Sequence, residues 1–208
     1  MKILIVSDVE NKELCSGWDQ FVLTHPLGTI FQSPGYFSIF LHQKEFAPVA
    51  LLIQNENGQV EGVLSGIIQY QFLGPLKKMA SRCVVMGGPL VRNNDPGLLA
   101  ELLSHFNVYI RRHVIYTQFR NMCDMGFAHR NFIHAGYKYE EHLNIHVDLT
   151  RDADELWKDV HKQKRYEVNR AKREGLKFGP ITNITELAES YQLLKNIYIR
   201  IKLPLFPF

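Results

Sequence analysis

The chain has little of what marks a specialised protein class. It holds 3 cysteines, Cys15, Cys83 and Cys123, far apart and odd in number, with no C-x-x-C pair. That argues against a disulfide framework and for buried, reduced thiols. Its 14 glycines and 9 prolines are scattered without period, which excludes collagen-like and low-complexity chains. No run of about 18 apolar residues occurs, so no transmembrane segment is expected. The start, MKILIVSDVE, has one lysine and a short apolar run. A signal peptide needs an apolar core of roughly 7–15 residues, so a cytoplasmic location is expected. There is no G-x-S-x-G elbow and no H-E-x-x-H zinc motif.

What is present is an ordinary globular composition, 46% hydrophobic and 22% charged over 208 residues. The net charge of +3 hides an asymmetry. Residues 158–177 carry eight Lys and Arg against three Asp and Glu, a local +5, which leaves −2 for the rest. An anionic partner is therefore expected at that segment.

Periodicity gives the elements. Residues 2–6 read as a strand, and Leu14, Trp18, Phe21 and Val22 form one helical face within 11–24. Ser33-Pro34 opens a helix holding Tyr36, Phe37, Phe40 and Leu41, with a hydroxyl cap and proline at its first position. Residues 47–54 and 59–71 are strands joined at Asn57-Gly58, a strong hairpin signal. Residues 82–86 and 113–119 are strands, with a helix from Asp95-Pro96 to Ile110 between them. Residues 124–134 are helix-like, and 138–149 alternate like a strand. Beyond residue 150, Asp152 caps a long helix to about 174, ended by Gly175. A short strand over 176–181 and a helix from about 184 follow. The tail, Leu203-Pro-Leu-Phe-Pro-Phe208, is apolar and calls for a partner surface. Interleaved strands and helices imply an α/β sheet of mixed direction.

Few residues suggest chemistry directly. His142 and His146 have the spacing of helical zinc ligands, but lie in the alternating segment. There four residues span about 13 Å, too far to share an ion, so no metal is expected. Ser65-Gly66 sits within a strand and reads as sheet packing rather than a nucleophile. Gly87-Gly88-Pro89 follows a strand and is either a tight turn or a backbone cradle for a ligand. On the basic helix, Lys158, Lys162, Arg165, Asn169 and Lys172 or Arg173 share one face. This is either a solvated stripe or a landing site for phosphates, with Arg165, Arg170 and Arg173 offering bidentate forks. The stripe is short and has no interleaved aromatics, which disfavours nucleic acid; DNA is not expected as a partner.

Together these pieces resemble the FemABX-like peptidoglycan bridge enzymes and their acetyltransferase-like (GNAT) relatives. The pieces are Trp18-x-x-Phe21-Val22, His25-Pro26, Gly28-Thr-Ile-Phe-Gln-Ser-Pro34, and Arg82-x-Val-Val-x-Gly87-Gly88-Pro89. They continue with Tyr116-x-x-Phe119-Arg120-Asn121, Gly136-Tyr137, His142-Leu143-Asn144, Val147-Asp148-Leu149 and Lys164-Arg165-x-x-x-Asn169-Arg170-Ala171-x-Arg173-Glu174-Gly175. No single piece is specific; their order and spacing carry the likeness over nearly the whole chain.

The resemblance implies a GNAT-like mixed sheet flanked by helices in a first subdomain, residues 1–150. Residues 151–208 would supply a basic helix, a short strand and a helix that begin an incomplete second subdomain, with the chain cut short. It implies acyl or aminoacyl transfer to an amine on a cell-wall or polysaccharide precursor, with a non-catalytic anion-binding or interaction module as the alternative. No tightly bound cofactor is implied; the donor is an aminoacyl-tRNA or acyl-CoA. Partners would be a nucleotide- or lipid-linked anionic envelope precursor and, at the tail, the missing subdomain or another subunit. The residues singled out for substrate are Gln32, Ser33, Tyr36, Gly87, Gly88, Arg120, Arg165, Asn169 and Arg170, with no catalytic residue assigned.

Overall fold

The computed structural model describes residues 1–71, 74, 77–202 and 205. The chain divides into two units, residues 1–144 and 145–208, each taken by itself.

The first unit is built on a mixed sheet. Its strands are β1 (Lys2–Val6), β2 (Phe46–Gln54), β3 (Val60–Tyr70), β4 (Ser81–Met86), β5 (Leu90–Val91) and β6 (Tyr116–Arg120). Their spatial order is β1-β2-β3-β4-β6, with β5 on β3. The β2–β3 pair is antiparallel, as the Asn57-Gly58 turn requires, and Gly58 takes φ +78° there. β4 and β6 are parallel and paired from Arg82↔Tyr116 to Met86↔Arg120. Parallel neighbours need a crossover, which α3 (Pro96–Ile110) supplies. The expected mixed α/β sheet flanked by helices is thus present.

Period-2 alternation sends side chains to two faces. On one face Val49, Leu51, Ile53, Leu64, Ile68, Cys83 and Val85 pack with Leu99, Leu102, Leu103 and Phe106 of α3. On the other, Ala50, Leu52 and Val63 pack with Trp18 and Val22 of α1 (Lys12–Thr24) and Phe37 of α2 (Pro34–Ser38). β2 and β3 are covered on both sides, which is why they read as near-continuous apolar runs. α3 is capped by Asp95, whose Oδ1 accepts from Gly97 N and Leu98 N at 2.7 and 2.9 Å. Behind β6 lies α4 (His129–His134).

The second unit holds α5 (Ala153–Asp159), α6 (Lys162–Arg173) and α7 (Ile184–Ile201). None of its described residues is buried.

Three expected elements are corrected. Residues 138–149 form no strand among the described residues, and Leu143 and Ile145 are each 92% exposed. Alternation marks a strand only where an edge pairs with it and a surface covers its apolar side; neither is present. The helix expected over 152–174 breaks at Val160-His161, whose backbones are extended at ψ 130° and 139°. His161 caps α6 by accepting from Gln163 N, and Arg165 donates to the Lys158 carbonyl at 3.0 Å, so side chains satisfy both helix ends. Residues 176–181 form no strand, and Leu176 and Phe178 are exposed. The tail at 203, 204 and 206–208, expected to seek a partner, lies outside the described residues. The two-residue β5 was not legible in the sequence.

Candidate functional site

The sheet face that carries α1 and α2 holds a cleft of about 110 Å³ toward β4 and β6, with the buried Ile67 and Val84 at its floor. Ile67 and Gln69 of β3, Arg82, Val84 and Met86 of β4 and Arg120 of β6 form the floor, and Tyr36 and Phe40 form the wall. The floor residues follow from strand alternation: Cys83 and Val85 point into the α3 core, so Arg82, Val84 and Met86 point the other way.

Two guanidinium groups line this cleft. Gln69 and Arg82 stand directly opposite across the ladder, and Arg82 Nε donates to Gln69 Oε1 at 2.9 Å. This orients the guanidinium and leaves its terminal nitrogens for a ligand. Arg120 is exposed, with a long 3.4 Å contact from Nη2 to Gln118 Oε1. Along the parallel ladder the two positions are offset by four residues, about 13 Å. Such an offset suits an elongated anion or one with two charged groups. Tyr36 is half-buried beside Phe31 and Phe40. Burial raises the pKa of its phenol, keeping it protonated. The floor runs along β4 from Arg82, near its start, to Met86 and Arg120 at the strand ends.

Gln32, Ser33, Gly87 and Gly88 are brought together, but into a structural knot. The fully buried Gln32 donates from Nε2 to the Gly87 and Gly88 carbonyls at 2.8 and 3.2 Å. Its Oε1 accepts from Thr29 N and Oγ1 at 2.8 and 2.7 Å, and its carbonyl accepts from Trp18 Nε1 at 2.6 Å. Ser33 Oγ caps α2 by accepting from Tyr36 N, and donates to Ile30 O. Both glycines have positive φ, +80° and +77°. A Cβ on Gly87 would meet the Gln32 amide at 2.6 Å, and one on Gly88 would meet Asn121 Oδ1 at 2.5 Å. Gly87 lies in a bend after β4, its N–H donates to Arg120 O at 2.9 Å, and the Gly87 and Gly88 carbonyls are taken up by Gln32. The side chains of Gln32 and Ser33 bond within the protein, Tyr36 and Arg120 line the cleft, and Gln32, by bonding the Gly87 and Gly88 carbonyls, holds the loop after β4.

Arg165, Asn169 and Arg170 lie on α6, in the second unit. Arg165 is tied to the α5 end, and Arg170 Nε donates to Glu174 Oε1 at 2.7 Å. Lys172 sits 5.8 Å over the Trp157 ring. The stripe is exposed and laced by local pairs.

Sequence reasoning missed Arg82, Gln69 and Met86 as cleft residues. The arginine on the same side of β4 as Val84 and Met86 becomes a cleft residue only because of where the covering elements end, which lies outside the local pattern. Among the described residues no three His, Cys, Asp or Glu groups converge, and no helix is long and apolar enough to cross a membrane.

No protein-family model and no curated protein matches the chain. Solved structures with a related layout exist. A probable acetyltransferase is 14% identical over 73% of this chain and 100% of its own, with a TM-score of 0.46. The aminoglycoside 6'-N-acetyltransferase AAC(6')-Ih of Acinetobacter baumannii is 13% identical over 71% of this chain and 97% of its own, TM-score 0.47. Glucosamine-6-phosphate N-acetyltransferase of Arabidopsis thaliana is 12% identical over 71% of this chain and 99% of its own, TM-score 0.47. Likeness at this level assigns neither family nor substrate.

Proposed function

We propose that the chain belongs to an acyl or aminoacyl transferase whose first unit holds an anionic, amine-bearing acceptor in the Arg82–Arg120 cleft. The observation that carries this is two guanidinium groups lining one cleft whose wall includes Tyr36. A cell-wall or polysaccharide precursor linked to a nucleotide or lipid diphosphate has the elongated, doubly charged shape that the four-residue offset suits. Arg82 and Arg120 hold the charge, and the Tyr36 hydroxyl orients the acceptor. Attack by the amine on an activated ester or thioester then gains chiefly from proximity. The donor is an aminoacyl-tRNA or acyl-CoA, and the setting is the cytoplasm, where such donors and precursors meet. The α6 arginines, Arg165 and Arg170, with Asn169, form a second cationic surface for phosphates of the same class.

The second reading is a non-catalytic anion-binding module. It is favoured by the cleft lining, where among the described residues no carboxylate, histidine or thiol stands beside the two arginines. One experiment separates the two. The full chain is incubated with an amine-bearing nucleotide-linked sugar precursor and either acyl-CoA or aminoacyl-tRNA, and the product is weighed by mass spectrometry. A mass gain of one acyl group, lost in Arg82→Ala/Arg120→Ala, supports the transferase. Binding without a mass gain supports the module. No binding overturns both.

A further inference from the structure

In the first unit a second groove, of about 350 Å³, lies between α3 and α4, away from the Arg82–Arg120 cleft. α3 turns Leu99, Leu102, Leu103 and Phe106 into the core, so its opposite side looks outward. That outer side brings Ala100, Ser104, Asn107, Val108 and, just past the helix, Arg111 to one wall. They recur at i, i+4, i+7, i+8 and i+11, one face of a helix. α4 brings Asn131 and His134, with Ala135 after it, to the other wall. The small side chains of Ala100, Ser104 and Ala135 leave room that larger ones would fill. Hydrogen bonds pin the two walls together. Asn131 Nδ2 donates to Pro96 O at 2.8 Å, at the start of α3. Asn107 Nδ2 donates to Ala135 O at 2.9 Å, and Asn107 Oδ1 accepts from the Tyr137 hydroxyl. The groove is thus preformed, and its volume falls within the range of small-molecule sites, about 300–1,000 Å³.

Its nitrogen donors gather at one end. Asn107 bonds Ala135 directly; Arg111 is one turn further along α3, and His134 immediately precedes Ala135. The guanidinium and the imidazole therefore belong to the same end of the groove. Both residues are exposed, and among the described residues neither side chain has an ion pair or a hydrogen bond. No carboxylate among the described residues lines the groove. The dipole of α3 favours a cation at its end, but it gives the five guanidinium N–H donors no protein acceptor. Away from that end the lining is small and largely apolar, with Val108 and Ala100 beside the Ser104 hydroxyl.

We propose that the α3–α4 groove is a second ligand site, which takes a small organic acid. Its anionic head, a carboxylate or a phosphate, sits on Arg111 and His134. Its compact apolar body lies along Val108 and Ala100. The planar fork of an arginine matches either head with two parallel hydrogen bonds. The site does not depend on the transferase reading, because none of its residues lines the Arg82–Arg120 cleft.

The test is an amide NMR titration of the full chain with butyrate and with butyl phosphate. Butanol serves as the headless control and inorganic phosphate as the bodiless one. Saturable shifts are expected at the amides of Ser104, Asn107, Val108, Arg111 and Ala135. Each control should bind about tenfold more weakly or worse, as the loss of one charge-assisted contact implies. Saturation by only one of the two acids also supports the site and fixes its head. Arg111→Gln should weaken binding about tenfold or more, while Arg112→Gln, exposed and outside the groove, leaves it unchanged. Ala100→Leu/Ser104→Leu keeps every charge, fills the groove and should abolish binding. Both positions are exposed on α3, and unshifted β2 and β3 amides verify that the variant is folded. The absence of saturable shifts with either acid would overturn the proposal. So would binding that survives the filled groove, binding lost equally in Arg112→Gln, or a control that binds as tightly as its acid.

Discussion

Gln32 satisfies three backbone groups and a hydroxyl from a fully buried position. Truncation to alanine strands the Gly87 and Gly88 carbonyls and the Thr29 N–H away from water. Each unmet buried group costs about 1–3 kcal/mol, so Gln32→Ala should lower stability by several kcal/mol in chemical denaturation. A residue that only touched substrate would leave the unfolding midpoint where it is. Gly87→Ala should also destabilise, because its Cβ would stand 2.6 Å from the Gln32 amide at φ +80°. Tyr137 gives a pH-dependent readout. Its hydroxyl donates to Asn107 Oδ1, and burial, with a smaller contribution from Cys83, pushes its pKa up to about 12. In the unfolded chain a tyrosine ionises near 10. Between those values the unfolded state binds fewer protons than the folded one, so stability falls as pH rises from about 10 to 12. Tyr137→Phe should flatten that part of the stability–pH curve.

At the level of elements, what the sequence made legible depends on where each segment's partners lie. The cap residues Ser33 and Asp95 were local and could be read: Ser33 accepts from Tyr36 N and Asp95 from the first turn of α3. Asp95→Ala should therefore cost about 0.5–2 kcal/mol in thermal unfolding. The Asn57-Gly58 hairpin and both flanking strands were likewise legible, since turn chemistry fixed their register. The alternating run 138–149 and the segment 176–181 misled because a strand is defined by a neighbour the run itself does not contain. The break at Val160-His161 was hidden for a related reason, since Arg165 and His161 satisfy the two ends across it. For the cleft, the motif order points to Tyr36 and Arg120, which line it, but not to Arg82 as a ligand residue. Arg82 becomes a cleft residue through where Tyr36 and Phe40 cover β4, and no local pattern announces where a covering element ends.

On the scale of the molecule, the two units differ in kind. The first buries a two-sided core around β2 and β3, whereas no described residue of the second is buried. Amide exchange should follow that division. Protection should approach the global unfolding free energy in Leu51–Ile53 and Val63–Ile68, and should be far weaker throughout α5–α7. Protection in α7 equal to that of β3 would mean that the second unit has a core of its own. The reading as a whole rests on the Arg82–Arg120 cleft, and calorimetric titration of the full chain with a nucleotide-diphosphate-linked, amine-bearing sugar precursor tests it most directly. Losing a charge-assisted contact costs roughly 1.5–3 kcal/mol, about ten- to a hundredfold or more in affinity. Arg82→Ala and Arg120→Ala should each weaken binding by that factor, with the unfolding midpoint almost unmoved and the Arg165→Ala/Arg170→Ala chain binding more nearly like the parent. Undiminished affinity in the Arg82→Ala/Arg120→Ala double variant, or a loss confined to the α6 variant, would contradict the account.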